Sequence, residues 1–432
     1  MKTVIMAGGR GKRIAEIAGH IPKPMIPLWG KPILEYQIDC LKRCGLTDIL
    51  IVTGYMGSVI KDHFRGGGYF GCAISYFHEE EPLGTAGALF RVIHSLSEEF
   101  ILLNGDIIFD LDFDRLIKFH REKNAAATIA VHPNNHPYDS ALIIPDLSCR
   151  ITAWLNKEDP RRWCKNLVNS GVHILTKELL NLYLAKNASN HPEKVDLDRD
   201  ILKPLVASGR IYAYKTPEYI KDMGTPDRYT EVKKDIISGL VKEKNLSIPQ
   251  KAVFLDRDGT LNKIKGFIKK SEDMELLPGA AEAVRKINNS GYLAIVITNQ
   301  PVIARGEASL EDLEEIHGKM ETDLGKEGAY LDDIFFCPHH PDKGFSGERP
   351  EYKIDCQCRK PKPGLFFQAA EKYHIDLSLS YMIGDDPRDM EAAIAAGCRP
   401  AFISPTPYND SIPYYRSLLD WCGEFSTFEL IP

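Results

Sequence analysis

Twice in this chain a short apolar run ends abruptly at a loop dense with chemistry. Thr3–Met6 leads into Ala7-Gly8-Gly9, and Ala252–Leu255 leads into Asp256-Arg257-Asp258-Gly259-Thr260. Apolar runs too short for a helix and bounded by turn residues read as strands buried on both faces. The first pattern recurs at Asp48–Thr53 before Gly54 and at Phe100–Leu103 before Asn104-Gly105-Asp106, with helical stretches Ile33–Cys44 and Ala86–His94 between. The second start is followed by a helical Gly279–Ser290, a strand at Leu293–Thr298, a charged helix at Leu310–Leu324 and a strand at Tyr381–Ile383. Strands alternating with helices predict mostly parallel α/β sheets, whose sites lie at the carboxyl ends of the strands. Two complete series predict two domains: residues 1–240 and 250–405, a linker at 241–249, and a tail at 406–432 whose role the sequence does not reveal. Each half is expected to work alone.

Composition agrees with that division. A single core rarely keeps growing past about 300 residues, and this chain has 432. With 44% apolar and 26% charged residues it is neither a disordered chain nor a rod. Its 54 Lys and Arg against 60 Asp and Glu leave a net charge of −6, without the broad basic footprint of a nucleic-acid binder. No run approaches a membrane span, and the start, which turns to glycine after a few apolar residues, lacks the pattern of a signal peptide. A cytoplasmic setting is expected, with small-molecule partners, no nucleic acid and no membrane; self-association stays open.

Gly8, Gly9 and Gly11 sit in a strand-to-helix turn beside Arg10, Lys12 and Arg13. Glycine lets phosphate oxygens approach the backbone N–H groups while the cations offset their charge. Prolines around Lys23 and Lys31 restrict the backbone and keep those ammonium groups placed. In the second half, the two carboxylates of Asp256 and Asp258 follow a buried strand, so both can face one pocket. Seven of the ten cysteines are scattered, but Cys337, Cys356 and Cys358 cluster with His339. Three thiols and an imidazole suit tetrahedral Zn²⁺ with no open position, hence a structural metal. The neighbouring His340 is the alternative ligand, though the spacing favours His339. Zinc here would staple a Pro- and Gly-containing loop and place Arg359 and Lys360.

MAGGRGKRI followed by PKPMIPLWGKPILEYQI resembles the signature of the sugar-1-phosphate nucleotidyltransferases. Pro82-Leu83-Gly84-Thr85-Ala86-Gly87 resembles that family's nucleobase loop, and Asn104-Gly105-Asp106 and Asp222-Met223-Gly224 resemble its two acidic motifs. The resemblance implies a Rossmann-like, GT-A-like fold. A sugar 1-phosphate would attack a nucleoside triphosphate and release pyrophosphate. Arg13 and Lys23 would act on the triphosphate, Asp106 and Asp222 would hold Mg²⁺, and Gly84 and Thr85 would contact the nucleotide. The Asn169-Ser170-Gly171 turn would bind the sugar through Asn169 and Gly171. The family's Glu-Lys-Pro is replaced by Lys157-Glu158-Asp159-Pro160, leaving Lys157 and Lys165 as alternatives for the sugar-phosphate lysine.

The Asp256-to-Thr260 motif, Ile297-Thr298-Asn299, Arg359-Lys360-Pro361 and Gly384-Asp385-Asp386 together resemble the haloacid dehalogenase (HAD) superfamily phosphatases. With the Cys/His cluster they resemble the D-glycero-D-manno-heptose 1,7-bisphosphate 7-phosphatases and the related histidinol-phosphate phosphatases. By that resemblance Asp256 is the nucleophile and Asp258 the general acid and base. Thr298, Asn299, Arg359 and Lys360 would meet the phosphate. Asp256, the backbone carbonyl of Asp258, and Asp385 would ligate Mg²⁺, and Asp389 would orient the acidic loop. Asp386 stands where the family often has lysine. Joined, the halves imply a bifunctional enzyme making a GDP-heptose, through the α anomer of heptose 1-phosphate, from GTP for surface glycans. Alternatives are the same chemistries on another sugar or NTP, histidinol phosphate as phosphatase substrate, and a non-catalytic scaffold.

Overall fold

The computed structural model describes residues 1–9, 19–187, 194–344 and 346–428. Its first unit comprises Met1–His132, Ile143–Trp154 and Asn169–Asn245; the second comprises Pro133–Leu142, Leu155–Val168 and Leu246–Pro432.

In the first unit the strands are β1 (Lys2–Ala7), β2 (Asp48–Thr53), β3 (Ala73–His78), β4 (Glu99–Asn104) and β5 (Ile107–Asp110). They continue with β6 (Ala127–His132), β7 (Leu142–Pro145), β8 (Ile151–Leu155), β9 (Val168–Thr176), β10 (Ile211–Lys215) and β11 (Tyr219–Asp222). The main sheet runs β8-β7-β9-β4-β1-β2-β3, with β6 joining β9 to β10. Strands β1 to β4 are mutually parallel in the order β3-β2-β1-β4, while β9 lies antiparallel against β4. That order reverses direction between β1 and β4, and the crevice at such a switch point is where ligands bind. The loops leaving those two strands carry Gly8 and Asp106. Val4 and Ile5 are both fully buried, as a central strand covered on each face requires.

The second unit contains β12 (Ala252–Leu255), β13 (Leu293–Asn299), β14 (Asp333–Cys337), β15 (Tyr381–Gly384), β16 (Arg399–Ile403) and β17 (Tyr414–Tyr415). The sheet order is β14-β13-β12-β15-β16-β17, and every pairing is parallel. Its side chains alternate between two cores: Val253, Leu255, Ala294 and Val296 enter one, and Ala252, Phe254, Leu293, Ile295 and Ile297 enter the other. Here the switch point lies between β12 and β15, which deliver Asp256 and Asp385.

The division differs from the sequence expectation at three places. Residues 241–245 belong with the first unit, where Val241 is in a core cluster and Asn245 Nδ2 donates to Asp110 Oδ1 at 2.5 Å. The tail is part of the second unit: Tyr414–Tyr415 adds a strand to the sheet edge, and Leu418, Trp421 and Cys422 fill its core. Two stretches from the first half of the sequence also pack into that unit. Cys164 N donates to Thr322 Oγ1 at 3.1 Å, and Tyr138 Oη donates to the Thr322 carbonyl at 2.7 Å. Both contacts fall on helix α1 (Leu310–Lys326), where Gly318 and Gly325 leave room for Trp163 and Pro137. No helix among the described residues is long and apolar enough to cross a membrane.

Two candidate active sites and a candidate metal centre

At the β1/β4 switch point a cavity of about 530 Å³ is lined by Gly8, Gly9, Lys23, Glu79, Gly84, Thr85, Asn104, Asp106 and neighbouring residues. Lys23 sits in a single 3-10 turn between Pro22 and Pro24, which aims its buried ammonium at Asp106 Oδ2, 2.5 Å away. Pairing of β5 with β11 places Asp222 opposite Ile107, and Met223 N donates to the Asp106 carbonyl at 2.9 Å. The backbone thus holds Asp106 and Asp222 side by side, as a shared divalent ion requires. Burial raises the Asp222 carboxyl, but Arg228 at 2.5 Å, the Gly224 N–H and Lys23 outweigh it and hold the group below its usual value.

Gly84 has a positive φ of 86°, and a Cβ there would meet the Val195 carbonyl oxygen at 2.4 Å. Two backbone bonds clasp this loop, Val195 N to Leu83 O and Ala86 N to Val195 O, each at 2.9 Å. The Thr85 hydroxyl accepts from Leu197 N at 2.7 Å and donates to Asp196 at 3.2 Å, so it secures the loop as well as lining the cavity. Asn169 Oδ1 accepts from Gly171 N and His173 Nε2, each at 3.0 Å, and Gly171 lies against the Asn104 side chain, which lines the cavity. Gly11 and Arg13 lie outside the described residues. The two alternatives for the sugar-phosphate lysine are engaged elsewhere: Lys165 pairs with Glu314 at 3.2 Å, and Lys157 with Asp139 at 3.6 Å. Glu79 went unnoticed in the sequence because no motif surrounds it; burial raises its carboxyl, the Leu83 N–H partly opposing.

In the second unit, Asp256 N donates to Ile383 O at 2.9 Å, which sets the nucleophile candidate against β15. Lys360 is buried and its ammonium reaches Asp256 at 2.6 Å, Asp389 at 2.5 Å and the Ile297 carbonyl at 2.8 Å. A reciprocal pair, Asn299 Nδ2 to Lys360 O and Lys360 N to Asn299 Oδ1, each at 3.0 Å, fixes that lysine's backbone. Burial raises Asp256 to about 7; Lys360 opposes the rise while Asp389 and Asp258 add to it. Burial and the nearby Asp256 raise Asp385 to about 7 as well.

Carboxylate oxygens of Asp256, Asp385 and Asp389 all lie within 4.8 Å of one another, a donor set that fits Mg²⁺. Gly259 and Gly384 are needed here: a Cβ would strike Asp385 Oδ2 at 2.0 Å in the first case and Asp389 Oδ2 at 2.2 Å in the second. Asp389 therefore joins the carboxylate group besides capping its own helix, α2 (Pro387–Ala396), where the sequence expectation gave it only an orienting role. The Asp258 carboxylate stands outside that group. It faces Arg257 Nη2 at 2.8 Å, Asn262 Nδ2 at 3.0 Å and Gln300 Nε2 at 3.0 Å. Burial pushes this carboxyl up, but Arg257 and those amides hold it below the usual range. Arg257, Gln300 and His317 had no signal in the sequence; Arg257 is fully buried, with Nη1 at 3.3 Å from His317 Nε2. Asp386 is the N-cap of α2 and takes Arg388 through both oxygens, at 2.8 and 2.6 Å.

Cys337, His339, Cys356 and Cys358 converge, and five of the six separations between their ligand atoms are 3.2–3.6 Å. A tetrahedron with Zn–S near 2.3 Å has edges of roughly 3.5–3.8 Å, so the cluster fits zinc closely. Hydrogen bonding with Cys337, then with Cys356 and His339, lowers the Cys358 thiol to about 5 despite its burial. His340 turns away, its Nδ1 accepting from Asp342 N at 3.2 Å, which favours His339 as the ligand. Arg359 Nη1 donates to the His339 carbonyl at 3.2 Å, tying the cluster to the Arg359-Lys360 segment.

Residues 2–239 match the nucleotidyl transferase family and residues 357–404 the HAD-hydrolase-like family. The chain belongs to the nucleotidyl transferase family through its first half, and its second half belongs with the D-glycero-β-D-manno-heptose-1,7-bisphosphate 7-phosphatases. A phosphatase of that name from Escherichia coli O6:H1 is 41% identical over 150 residues, 35% of this chain and 76% of the relative. One from Rhodopseudomonas palustris is 40% identical over 146 residues, 34% of this chain and 79% of the relative. Among solved structures, HddC from Yersinia pseudotuberculosis complexed with GMP-PN is similar at 26% identity and a TM-score of 0.46, covering 54% of this chain and 99% of that one. The D,D-heptose 1,7-bisphosphate phosphatase of B. bronchiseptica, complexed with magnesium and phosphate, is similar at 30% identity and a TM-score of 0.36, covering 41% of this chain and 99% of that one.

Proposed function

We propose that this chain carries out two consecutive steps of nucleotide-activated heptose synthesis in the cytoplasm. Its second half removes the 7-phosphate of D-glycero-D-manno-heptose 1,7-bisphosphate. Its first half then transfers GMP from GTP to the heptose 1-phosphate, giving GDP-heptose and pyrophosphate. The carrying observation is the joining, on one chain, of a heptose bisphosphate phosphatase half to a nucleotidyl transferase half: the product of one is the substrate class of the other.

At the phosphatase site, Asp256 attacks phosphorus as the bond to the sugar oxygen breaks, and Asp258 protonates that leaving oxygen. Asp258 then takes a proton from water, which attacks the aspartyl-phosphate and releases phosphate. Arg257 and the neighbouring amides favour the ionised form of Asp258, the form that acts as base in this second half, while the acid step draws on its protonated form. Mg²⁺ at Asp256, Asp385 and Asp389, with the Asp258 carbonyl as a further ligand, would offset charge on the phosphoryl group. Lys360 bridges Asp256 and Asp389 and offsets their charge, and Thr298 donates to the phosphoryl oxygens. At the transferase site, Lys23 and Arg13 would take the triphosphate, Asp106 and Asp222 would hold Mg²⁺, and Asn169 and Gly171 would face the sugar. No covalent intermediate is needed, so catalysis there is positioning and charge stabilisation.

The choice of GTP rests on the resemblance of the first half. That resemblance implied the α anomer, whereas the relatives of the second half are named for the β anomer. Incubation of the full chain with each anomer of the bisphosphate and with each NTP, following phosphate and pyrophosphate separately, tests both points. Pyrophosphate release with GTP from one anomer supports the proposal; phosphate release without pyrophosphate for any NTP rejects it.

A further inference from the structure

Gln300 follows the Thr298-Asn299 pair of β13, and its side chain is buried. The network fixes which way its carboxamide points. Arg257 can only donate, so the end that meets Nη2 at 2.9 Å is the oxygen. The opposite end is therefore the NH₂ group, and both its hydrogens are used. One goes to Asp258 Oδ2 at 3.0 Å and the other to Thr298 Oγ1 at 2.9 Å. A hydroxyl oxygen that accepts there keeps its own hydrogen for a different acceptor. Among the described residues that hydroxyl donates to none. The backbone N–H of Gln300 in turn donates to the Cys337 carbonyl at 2.8 Å, which anchors the residue to the Cys/His cluster.

We propose that Gln300 is a positioning residue of the phosphatase site: it denies the Thr298 hydroxyl a local acceptor, so that the hydroxyl donates to the transferring phosphoryl group, and it anchors Asp258 alongside. This rests on the assignment of Thr298 to phosphate binding. The essential property is the polarity of the amide, which a shape-preserving change can reverse. Gln300→Glu puts an acceptor where the NH₂ stood, and the Thr298 hydrogen turns toward it. Gln300→Leu removes the amide but leaves Thr298 free to serve phosphate.

The full chain with Mg²⁺ is assayed on p-nitrophenyl phosphate, a phosphomonoester that makes no demand on the sugar, with inorganic phosphate as competitive inhibitor. Phosphate inhibition should weaken roughly 10- to 100-fold in Gln300→Glu, the worth of one hydrogen bond to a charged group, and only a few-fold in Gln300→Leu. Thr298→Val should match Gln300→Glu, and the double variant Gln300→Glu/Thr298→Val should be no worse than either. A merely structural glutamine predicts the reverse order, because Leu loses every side-chain bond while Glu keeps the shape and the contact with Arg257. Losses that multiply in the double variant would reduce the effect to charge repulsion and overturn the proposal. So would unchanged inhibition in Gln300→Glu when Thr298→Val is impaired. If Thr298→Val itself binds phosphate normally, the assignment of Thr298 falls and the proposal with it. Thermal melts of each variant confirm that the comparison is made on folded protein.

Discussion

Lys360→Met removes one charge and almost no volume from the second unit, so its consequences can be worked from the contacts. The ammonium lies between Asp256 at 2.6 Å and Asp389 at 2.5 Å, with the Ile297 carbonyl completing its bonds. Deleting one partner of a buried ion pair costs about 3–5 kcal/mol, because the remaining charge is stranded. Here the stranded carboxyls can take up a proton, Asp256 already standing at about 7, which points to the lower end of that range. About 3 kcal/mol in a domain of this size corresponds to a melting shift of roughly 6–12 °C. The pH sign follows from linkage. An acid with a folded pKa above its unfolded value gives stability that is present at low pH and lost as pH rises through the folded value. Lys360 holds Asp256 down, so removing it should widen the gap to wild type between about pH 6 and pH 8. The assay is calorimetry without Mg²⁺, following the transition that Cys356→Ser in the second unit also lowers, together with phosphatase turnover. Turnover, measured with Mg²⁺, should fall to near background, since Lys360 is also the ammonium expected at the phosphoryl group. A variant that melts within about 2 °C of wild type at every pH, or keeps a tenth of its turnover, would refute this account of the carboxylate cluster.

Two further expectations concern the metal cluster and the division of the chain. Protein purified in reductant without added zinc should carry about one Zn²⁺ per chain by elemental analysis, and Cys356→Ser should lose most of it along with phosphatase activity; clearly substoichiometric metal in active protein would count against a structural zinc. A fragment beginning at Leu246 lacks the stretches that donate to Thr322 and cover Gly318 and Gly325. It should be less stable in urea than one that also carries residues 133–168, by a few kcal/mol at about 1 kcal/mol per lost hydrogen bond plus uncovered apolar surface; equal midpoints would show the packing to be incidental.

The strand-then-loop pattern carried much of the architecture. Val4, Ile5, Val253 and Phe254 must be buried on both faces, and no other element accommodates such short runs followed at once by glycine or paired aspartates. The ends of those strands then located Gly8, Asp106, Asp256 and Asp385. The residues that went unread act through contacts distant in sequence. Glu79 enters the first cavity from the end of β3, and Val195 clasps Gly84 from more than a hundred residues away. Arg257 looked like a spacer between two carboxylates, yet its contacts with Asp258, Gln300 and His317 set the state of the acid/base candidate. The tail and the stretches around Tyr138 and Trp163 show no strong periodicity of their own, because a partner element supplies the core they join. Domain limits drawn from the two strand-and-helix series missed them for that reason.

The central claim is that one chain performs two consecutive reactions at separate sites, and a single variant tests it. Asp256→Asn removes the attacking oxygen of the phosphatase while nearly keeping its shape, and it lies in the second unit, whereas Lys23, Asp106 and Asp222 lie in the first. One preparation of this variant is given GTP with either heptose 1-phosphate or heptose 1,7-bisphosphate, and GDP-heptose is measured. The account predicts GDP-heptose from the monophosphate at the wild-type rate and none from the bisphosphate. Equal product from both substrates, or none from the monophosphate, would contradict it.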